Sequence, residues 1–271
     1  MSFKNFFSQS VTFFLDLLFP IKCHSCGENG TWLCSNCFKK IPLLTQDKCP
    51  LCYQASQGGF LCFKCLKKSY IERILLASDF KNPILKETIH IFKYEMIKDL
   101  ANPLGQLLTN TLKQTKIDSS FILIPIPLHR KRLLFRGFNQ AELLAQILGK
   151  ELNLEVENGV LKRKIFSLPQ TELKDPEARK QNIKNAFSLA ETKESKITIK
   201  SLFNFCKLNL KSSVSRKLKS INSVSAKDKI KNKNIILIDD VLTTGATLQE
   251  AAKVLKKAGA RKIWALVLAR A

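Results

Sequence analysis

The chain has 271 residues, enough for one large domain or two modest ones. Apolar residues make up 45% of it, which excludes a chain too polar to build a core. A formal net charge of +23 favours polyanionic partners such as nucleic acid, phosphorylated metabolites or an anionic membrane surface, without choosing among them. Lysine enrichment through AT-rich codon usage is an alternative source of this charge.

The N-terminal segment, residues 1–20, is rich in Phe and Leu, but polar residues interrupt it and Pro20 ends it. It is too short and too polar for a membrane-spanning helix, which needs about 20 apolar residues. Because no small-residue cleavage site or lipoprotein signal follows, we expect a cytoplasmic protein without a membrane span. We predict an amphipathic helix docked on the protein itself, with a membrane-surface or partner helix as the alternative.

Eight of the nine cysteines lie between residues 23 and 65 as four Cys-x-x-Cys pairs. In a cytoplasmic protein such pairs indicate thiolate metal ligands rather than disulfides. The two-residue spacer lets both sulfurs of a pair face one tetrahedral ion, so four pairs predict two structural Zn²⁺ sites. The predicted ligands are Cys23, Cys26, Cys34, Cys37, Cys49, Cys52, Cys62 and Cys65.

The spacing leaves the pairing of these cysteines open. Sequential pairing predicts a double zinc ribbon over residues 21–68, and a cross-braced arrangement is the alternative. An iron–sulfur cluster or redox-active pairs explain four evenly repeated pairs less well. Because so small a region buries little core, bound metal would supply its folding energy. We expect a structural or partner-binding role, with nucleic-acid binding as the alternative, and an unliganded thiol at Cys206.

From residue 69 onward, short apolar strands alternate with helices. This alternation predicts an α/β fold in which helices flank a parallel sheet, with the ligand site at the carboxyl ends of the strands. A strongly basic loop is predicted over residues 129–140. The predicted strands are 71–78, 121–127, 235–238 and 263–268, and the predicted helices are 85–92, 102–114, 141–152 and 247–258.

Residues 190–234 differ in composition from the rest of this region. Lys, Ser and Asn dominate them, acids are few, and the apolar pattern is weak. We predict a basic insertion that is largely disordered or loosely helical. A basic arm that contacts nucleic acid is the alternative.

The segment from Ile235 to Thr247 carries the clearest chemistry. Four apolar residues form a buried strand, two carboxylates follow it, and Thr-Thr-Gly-Ala-Thr opens the next helix. Glycine allows close approach of the backbone to an anion, the hydroxyls donate hydrogen bonds, and the helix N-terminus adds free amides and a positive dipole end. Such a turn predicts phosphate binding. The carboxylates are suited to a ribose diol and to a divalent cation accompanying substrate phosphates.

This stretch resembles the phosphoribosyl pyrophosphate (PRPP) signature of type I phosphoribosyltransferases. The wider pattern resembles the ComF family, whose members are associated with natural competence for DNA uptake and are often described as amidophosphoribosyltransferase-like. The motifs that carry the resemblance are the cysteine pairs, Phe92-Lys93-Tyr94, Pro125-Ile126-Pro127-Leu128-His129-Arg130, Arg136-Gly137-Phe138-Asn139-Gln140, Gln170 with Arg179 and Asn182, and Asp239-Asp240.

The resemblance implies a phosphoribosyltransferase-like domain over residues 69–271 that binds PRPP together with Mg²⁺. In that domain Asp239 and Asp240 would form the catalytic pair. We expect His129 to anchor backbone and Lys93 to pack or brace a loop. The other implied site residues are Thr243, Thr244, Gly245, Ala246 and Thr247 for the 5-phosphate, Arg130, Lys131, Arg132 and Arg136 in a pyrophosphate loop, and Arg163, Gln170 and Arg179 in a mobile loop.

Two functions follow from the resemblance. The first is an enzyme of natural competence that transfers phosphoribosyl from PRPP to a nitrogen nucleophile or a base and releases pyrophosphate. The sequence identifies no acceptor, and it contains no glutaminase domain that would supply ammonia. The alternative is a non-enzymatic adaptor that keeps the phosphate pocket and contacts single-stranded DNA, a competence helicase or another DNA-uptake protein.

Overall fold

The computed structural model describes residues 20–115, 117–165, 183–190 and 225–271. The predicted N-terminal helix, Gln170, Arg179, Cys206 and most of the basic insertion lie outside these ranges. The strands are β1 Arg73–Leu76, β2 Phe121–Pro125, β3 Leu161–Arg163, β4 Phe187–Leu189, β5 Asn234–Ile238, β6 Val241–Leu242, β7 Lys262–Val267 and β8 Ala269–Arg270. The helices are α1 Ser35–Lys39, α2 Phe63–Leu66, α3 Pro83–Tyr94, α4 Ala101–Gln114, α5 Arg130–Arg136, α6 Gln140–Leu152, α7 Ala226–Ile230 and α8 Ala246–Lys257.

The central sheet contains four parallel strands in the order β1, β7, β5 and β2. In its register, Ile236 lies between Leu123 of β2 and Trp264 of β7. The apolar residues of β2 and β5 are buried throughout, as expected for parallel strands that are covered on both faces. The predicted α/β fold with a helix-flanked parallel sheet is therefore confirmed.

Each face of the sheet has its own hydrophobic core, because successive side chains of a strand point to opposite faces. Ile236 and Ile238 belong to a core that includes α3, α4, α6 and the cysteines nearest the N-terminus. Ile235 and Leu237 belong to a second core that includes α8 and Cys49. The first cysteine-rich unit therefore packs with one face and the second with the other.

The basic segment after β2 differs from the predicted loop. Residues 130–136 form helix α5, which begins because the His129 Nδ1 accepts a hydrogen bond from the Lys131 N–H at 3.2 Å. The helix ends at Gly137, whose φ of 71° is left-handed and suits glycine. The imidazole of His129 thus anchors backbone, as expected.

Two further segments are more ordered than the sequence indicated. Arg163, which we assigned to a mobile loop, lies on β3 and pairs with Phe187 of the antiparallel strand β4. Near the end of the predicted insertion, α7 begins at Ser225, whose side chain accepts a hydrogen bond from the Asp228 N–H. This helix buries Ile230 in the second core. Both segments are stabilised because they bury apolar side chains. The local composition gave little indication of this burial.

Candidate functional site

A cavity of about 440 Å³ lies where β2 and β5 end. Its floor includes Ile126 and Leu128, which follow β2, and the acidic pair Asp239 and Asp240, which follows β5. Side chains of α3, α5, α6 and β3 and of the segment that leads into α8 also line it. The cavity is therefore at the carboxyl ends of the strands, where open parallel sheets bind their ligands.

The acidic pair is held by contacts with backbone and with one lysine. The Asp239 Oδ1 accepts a hydrogen bond from the Asp240 N–H at 2.9 Å, and the Asp240 Oδ1 lies 2.8 Å from Lys93 Nζ. Burial and, after it, the neighbouring Asp240 carboxylate raise the pKa of Asp239 to about 7, against the influence of Lys93 and Arg163. The pair is thus a concentration of negative charge that a bound cation or a hydroxyl donor would stabilise.

The phosphate turn, residues 243–247, connects β6 to α8. Gly245 stands immediately before the helix with a φ of 80°, a left-handed conformation that glycine adopts at little cost. The side chains of Thr243 and Thr247 line the cavity, whereas the Thr244 hydroxyl accepts a weak hydrogen bond from the Ala246 N–H at 3.4 Å. The turn therefore presents two hydroxyls and the N-terminus of a twelve-residue helix to the cavity.

Of the four cations assigned to the pyrophosphate loop, the structure brings Arg132 and Arg136 to the cavity. Arg130 and Lys131 are exposed and are not among the lining residues. The Arg136 Nη1 donates a hydrogen bond to Gln140 Oε1 at 3.1 Å, which holds the guanidinium against the wall. The helical form of this segment therefore divides its cations into an inward and an outward set.

Arg163 supplies a third guanidinium to the cavity, from β3. Burial and, after it, the positive charge of Arg132 lower its pKa to about 10, and Asp239 opposes the shift. Its guanidinium therefore remains charged at neutral pH. Arginines and a helix N-terminus that line one cavity are suited to a ligand with more than one anionic group. The roles of these residues, and of Gln170 and Arg179 outside the described ranges, stay predictions.

Sequence reasoning gave no chemical role to helix α3, yet this helix forms a whole wall of the cavity. Lys86, His90, Lys93 and Tyr94 all line it. Lys93 and Tyr94 follow His90 by three and four residues, and Lys86 precedes it by four, so all four lie on one helical face. The sequence signal was the Phe92-Lys93-Tyr94 motif, which the resemblance singled out without a function.

The Phe92-Lys93-Tyr94 and Arg136-to-Gln140 motifs meet in the structure. The rings of Phe92 and Phe138 are 5.5 Å apart between centroids, and the Arg136 guanidinium lies 5.4 Å from the centroid of the Tyr94 ring. Distances in this range are typical of aromatic and cation–π contacts. Two motifs that are separated in sequence therefore build one side of the cavity.

The cysteines form two four-sulfur clusters with sequential pairing. In each cluster all Sγ atoms lie within 4.8 Å of one another. Tetrahedral Zn–S bonds of about 2.3 Å would place sulfurs about 3.8 Å apart, and the structure has 3.6 Å between Cys26 and Cys34 and 3.4 Å between Cys52 and Cys62. Both clusters fit a zinc ion. The cross-braced alternative is excluded, since the clusters are Cys23, Cys26, Cys34 and Cys37, and Cys49, Cys52, Cys62 and Cys65.

Residues 21–41, which contain the first cluster, form the first ribbon. Residues 46–66, which contain the second cluster, form the second ribbon. Backbone N–H groups also point at the sulfurs: Cys34 N–H donates to Cys23 Sγ, and Cys37 N–H to Cys34 Sγ, both at 3.4 Å. Such contacts stabilise thiolates, which are the metal-binding form of cysteine.

Within the described ranges, no helix is long and apolar enough to cross a membrane.

Comparisons with known proteins agree with this architecture. Residues 170–271 match the phosphoribosyl transferase domain family, and residues 14–66 match the double zinc ribbon domain family. Competence protein F of Haemophilus influenzae is 30% identical over 267 residues, which cover 93% of this chain and 98% of that protein.

Two further relatives extend this similarity to other bacteria. Competence protein ComFC of Bacillus subtilis is 28% identical over 84% of this chain and 79% of its own. DNA utilization protein YhgH of Escherichia coli K12 is 26% identical over 88% of this chain and 91% of its own. The similarity therefore spans most of the length of both relatives.

Proposed function

The chain belongs to the ComF family, and on that basis we propose that it is a PRPP-binding protein of DNA uptake or utilization with phosphoribosyltransferase chemistry. One observation carries the proposal: a phosphate turn, an acidic pair and three arginines line a single cavity at the carboxyl ends of the sheet. PRPP carries a phosphate at one end, a ribose diol in the middle and a pyrophosphate at the other. The cavity offers a matching group for each part.

The proposed binding mode assigns each group by its chemistry. The hydroxyls of Thr243 and Thr247 and the α8 N-terminus bind the 5-phosphate. The acidic pair accepts hydrogen bonds from the ribose hydroxyls. The guanidiniums of Arg132, Arg136 and Arg163 neutralise the pyrophosphate, and Mg²⁺ would accompany its oxygens, as it commonly does with substrate phosphates.

In the proposed reaction, a nucleophile forms a bond to ribose C1 as the C1–O bond to pyrophosphate breaks. The electron pair of that bond leaves with the pyrophosphate, and the proton of the nucleophile passes to solvent or to a nearby carboxylate. Positive charge on arginines stabilises the leaving group as its negative charge develops.

We propose that the two cysteine clusters each hold a structural Zn²⁺. Four thiolates from two knuckles complete a tetrahedral site and leave no open position for a substrate. The buried cysteines of both clusters are also part of the two hydrophobic cores. The ions would therefore stabilise the same structure that forms the cavity.

A second function, contact with single-stranded DNA, is favoured by one surface feature. Phe63 of the second ribbon is 73% exposed, and Lys67 Nζ lies 4.2 Å from its ring centroid. Phe60, 47% exposed, lies under the Arg73 guanidinium at 4.6 Å. Exposed rings beside cations suit single strands, whose bases stack on rings and whose phosphates attract cations.

Calorimetry with PRPP and Mg²⁺ tests the central proposal. We expect the wild type to bind PRPP and the Asp239→Asn/Asp240→Asn variant to lose binding. Asp118→Asn, which removes an exposed acid outside the cavity, is the matched control and should bind normally. Failure of the wild type to bind PRPP would refute the proposal. Pyrophosphate release with candidate acceptors in the same samples separates an enzyme from an adaptor.

A further inference from the structure

Lys93 forms an ion pair with the second acid of the acidic pair across 147 residues of sequence. The distance from its Nζ to Asp240 Oδ1 is 2.8 Å, and the two side chains are only 18% and 16% exposed. An ion pair that is largely screened from water has a stronger mutual attraction than one on the surface. Helix α3, which carries Lys93, is thereby connected to the carboxyl end of β5.

The position of Lys93 is fixed by its neighbours in the motif. Phe92 is fully buried in the first core and packs against Phe138, so the last turn of α3 cannot rotate without disrupting that core. Tyr94 lies between the His90 ring, 4.9 Å away, and the guanidinium of Arg136. The two flanking aromatics therefore hold the lysine at the cavity wall.

The site needs such a cation because the acidic pair faces a polyanionic ligand. Two adjacent carboxylates at full charge would repel the phosphates of PRPP. Burial, and after it the neighbouring Asp240 carboxylate, raises the pKa of Asp239. Lys93 neutralises one of the two carboxylates and fixes one of its oxygens, Oδ1, in place.

We propose that Lys93 is a positioning residue, which orients the Asp240 carboxylate to accept hydrogen bonds from the ribose hydroxyls of PRPP. This inference rests on the proposed function and adds a residue to it. Lys93 acts through Asp240 and contacts the ribose only indirectly. The alternative, a direct contact between Lys93 and the pyrophosphate, predicts a different pattern of affinities.

A set of variants and ligands separates these two roles. The variants are Lys93→Met, which keeps most of the side-chain stem, Lys93→Arg, Asp240→Asn and the double variant Lys93→Met/Asp240→Asn. Lys113→Met, an exposed lysine in the last turn of α4, is the matched control. Calorimetry is carried out with PRPP, ribose 5-phosphate and inorganic pyrophosphate, and thermal unfolding checks that each variant is folded.

We expect Lys93→Met to lower the affinities for PRPP and for ribose 5-phosphate by about tenfold. A loss of this size is typical when an interaction between two contacting residues is removed. The affinity of Lys93→Met for pyrophosphate should be unchanged. Lys93→Arg should keep part of the PRPP affinity that Lys93→Met loses. In the double variant, the loss should equal that of Asp240→Asn alone, because both changes remove one interaction. Lys113→Met should match the wild type.

Three results would overturn the inference. The first is an equal loss for pyrophosphate and for PRPP in Lys93→Met, which would indicate direct contact with the leaving group. The second is additive losses in the double variant, and the third is no loss in folded Lys93→Met. Each of these leaves PRPP binding by the wild type intact, so failure of the inference is distinguishable from failure of the proposed function.

Discussion

Leu51 of the second ribbon lies directly against Gly245 of the phosphate turn. A Cβ atom on Gly245 would come within 2.9 Å of Leu51 Cδ2. Leu51 stands between the metal ligands Cys49 and Cys52, so a zinc knuckle forms one side of the turn that we propose binds the 5-phosphate. The second ribbon is therefore expected to affect ligand binding as well as stability.

Gly245→Ala should weaken PRPP binding and lower the free energy of unfolding. The substitution imposes a left-handed backbone on alanine, a cost of about 1–2 kcal/mol, and adds the contact with Leu51. Gly159→Ala is the control, because its φ of 76° imposes the same strain with no atom within 4 Å. Calorimetry and denaturant unfolding measure both effects. If the two variants lose equal stability and both bind PRPP normally, the packing against Leu51 has no influence on the turn.

Loss of metal from the second ribbon should reduce PRPP affinity more than loss from the first. Cys52→Ser and Cys26→Ser form a matched pair, since each removes an exposed ligand from one cluster. The second ribbon contacts the phosphate turn through Leu51, whereas the first ribbon packs into the core on the other face of the sheet. Zinc analysis should give one ion per chain for each variant against two for the wild type, and calorimetry gives the affinities. Equal losses of affinity would contradict this coupling.

Asp239→Asn should raise thermal stability at pH 8 in the absence of ligand. The folded pKa of about 7 exceeds the ordinary value of 3.8, so between these values the folded protein holds a proton that the unfolded chain has lost. Stability therefore falls as the pH rises through this window, and the full penalty is present above pH 7. Asparagine carries no such penalty. At pH 5 the difference between the two midpoints should be smaller than at pH 8, and it should vanish only below about pH 3.8, where the carboxyl is protonated in both the folded and the unfolded state.

Asp118→Asn provides the opposite sign in the same experiment. Hydrogen bonds from Ser120, first from its side chain and then from its backbone, lower the pKa of Asp118. A lowered pKa gives stability that is present above the unfolded value and is lost as the pH falls. This variant should therefore be no more stable than the wild type at pH 8. If the thermal stability of both variants rose at pH 8, the cause would be a general effect of removing a carboxylate and not the burial of Asp239.

Arg270→Met should detach the second ribbon from the C-terminal strand. The guanidinium donates to the carbonyl oxygens of Pro50 at 2.6 Å and Leu51 at 3.2 Å, and it lies 3.8 Å from the Tyr53 ring centroid. Two hydrogen bonds from a charged donor are worth about 1.5–3 kcal/mol each. We expect Arg270→Met to lower the free energy of unfolding by at least the value of one such bond, about 1.5–3 kcal/mol. We also expect weaker PRPP binding. Denaturant unfolding and calorimetry measure the two effects.

Arg261→Met is the control for Arg270→Met, because Arg261 is an exposed arginine in the turn before β7. Its removal should change the free energy of unfolding by less than about 0.5 kcal/mol. Arg270→Lys distinguishes geometry from charge, since an ammonium cannot reproduce the planar fork of a guanidinium. Full stability in Arg270→Lys would mean that charge alone is sufficient at this position.

Features that depend on residues close together in the chain could be predicted from the amino-acid sequence. Apolar runs of strand length predicted β2 and β5, and the cysteine spacing predicted metal ligands. The order of strand, acidic pair and Thr-Thr-Gly-Ala-Thr predicted a phosphate turn at the carboxyl edge of the sheet. The strands, the cysteine clusters and the place of this turn could be predicted because each motif contains its own physical cause within about 15 residues: periodicity, knuckle geometry, or a glycine before a helix N-terminus. Phosphate binding at the turn stays a prediction.

Which cations face the cavity depends on contacts between segments that are distant in the sequence. The segment expected to be a basic loop is a helix, so Arg132 and Arg136, four residues apart, share one face while Arg130 and Lys131 point elsewhere. The sequential pairing of the cysteines likewise follows from packing, because the two ribbons contribute to cores on opposite faces of the sheet. The pair of Lys93 with Asp240 has no local signal, since it forms only when α3 and β5 pack in one domain.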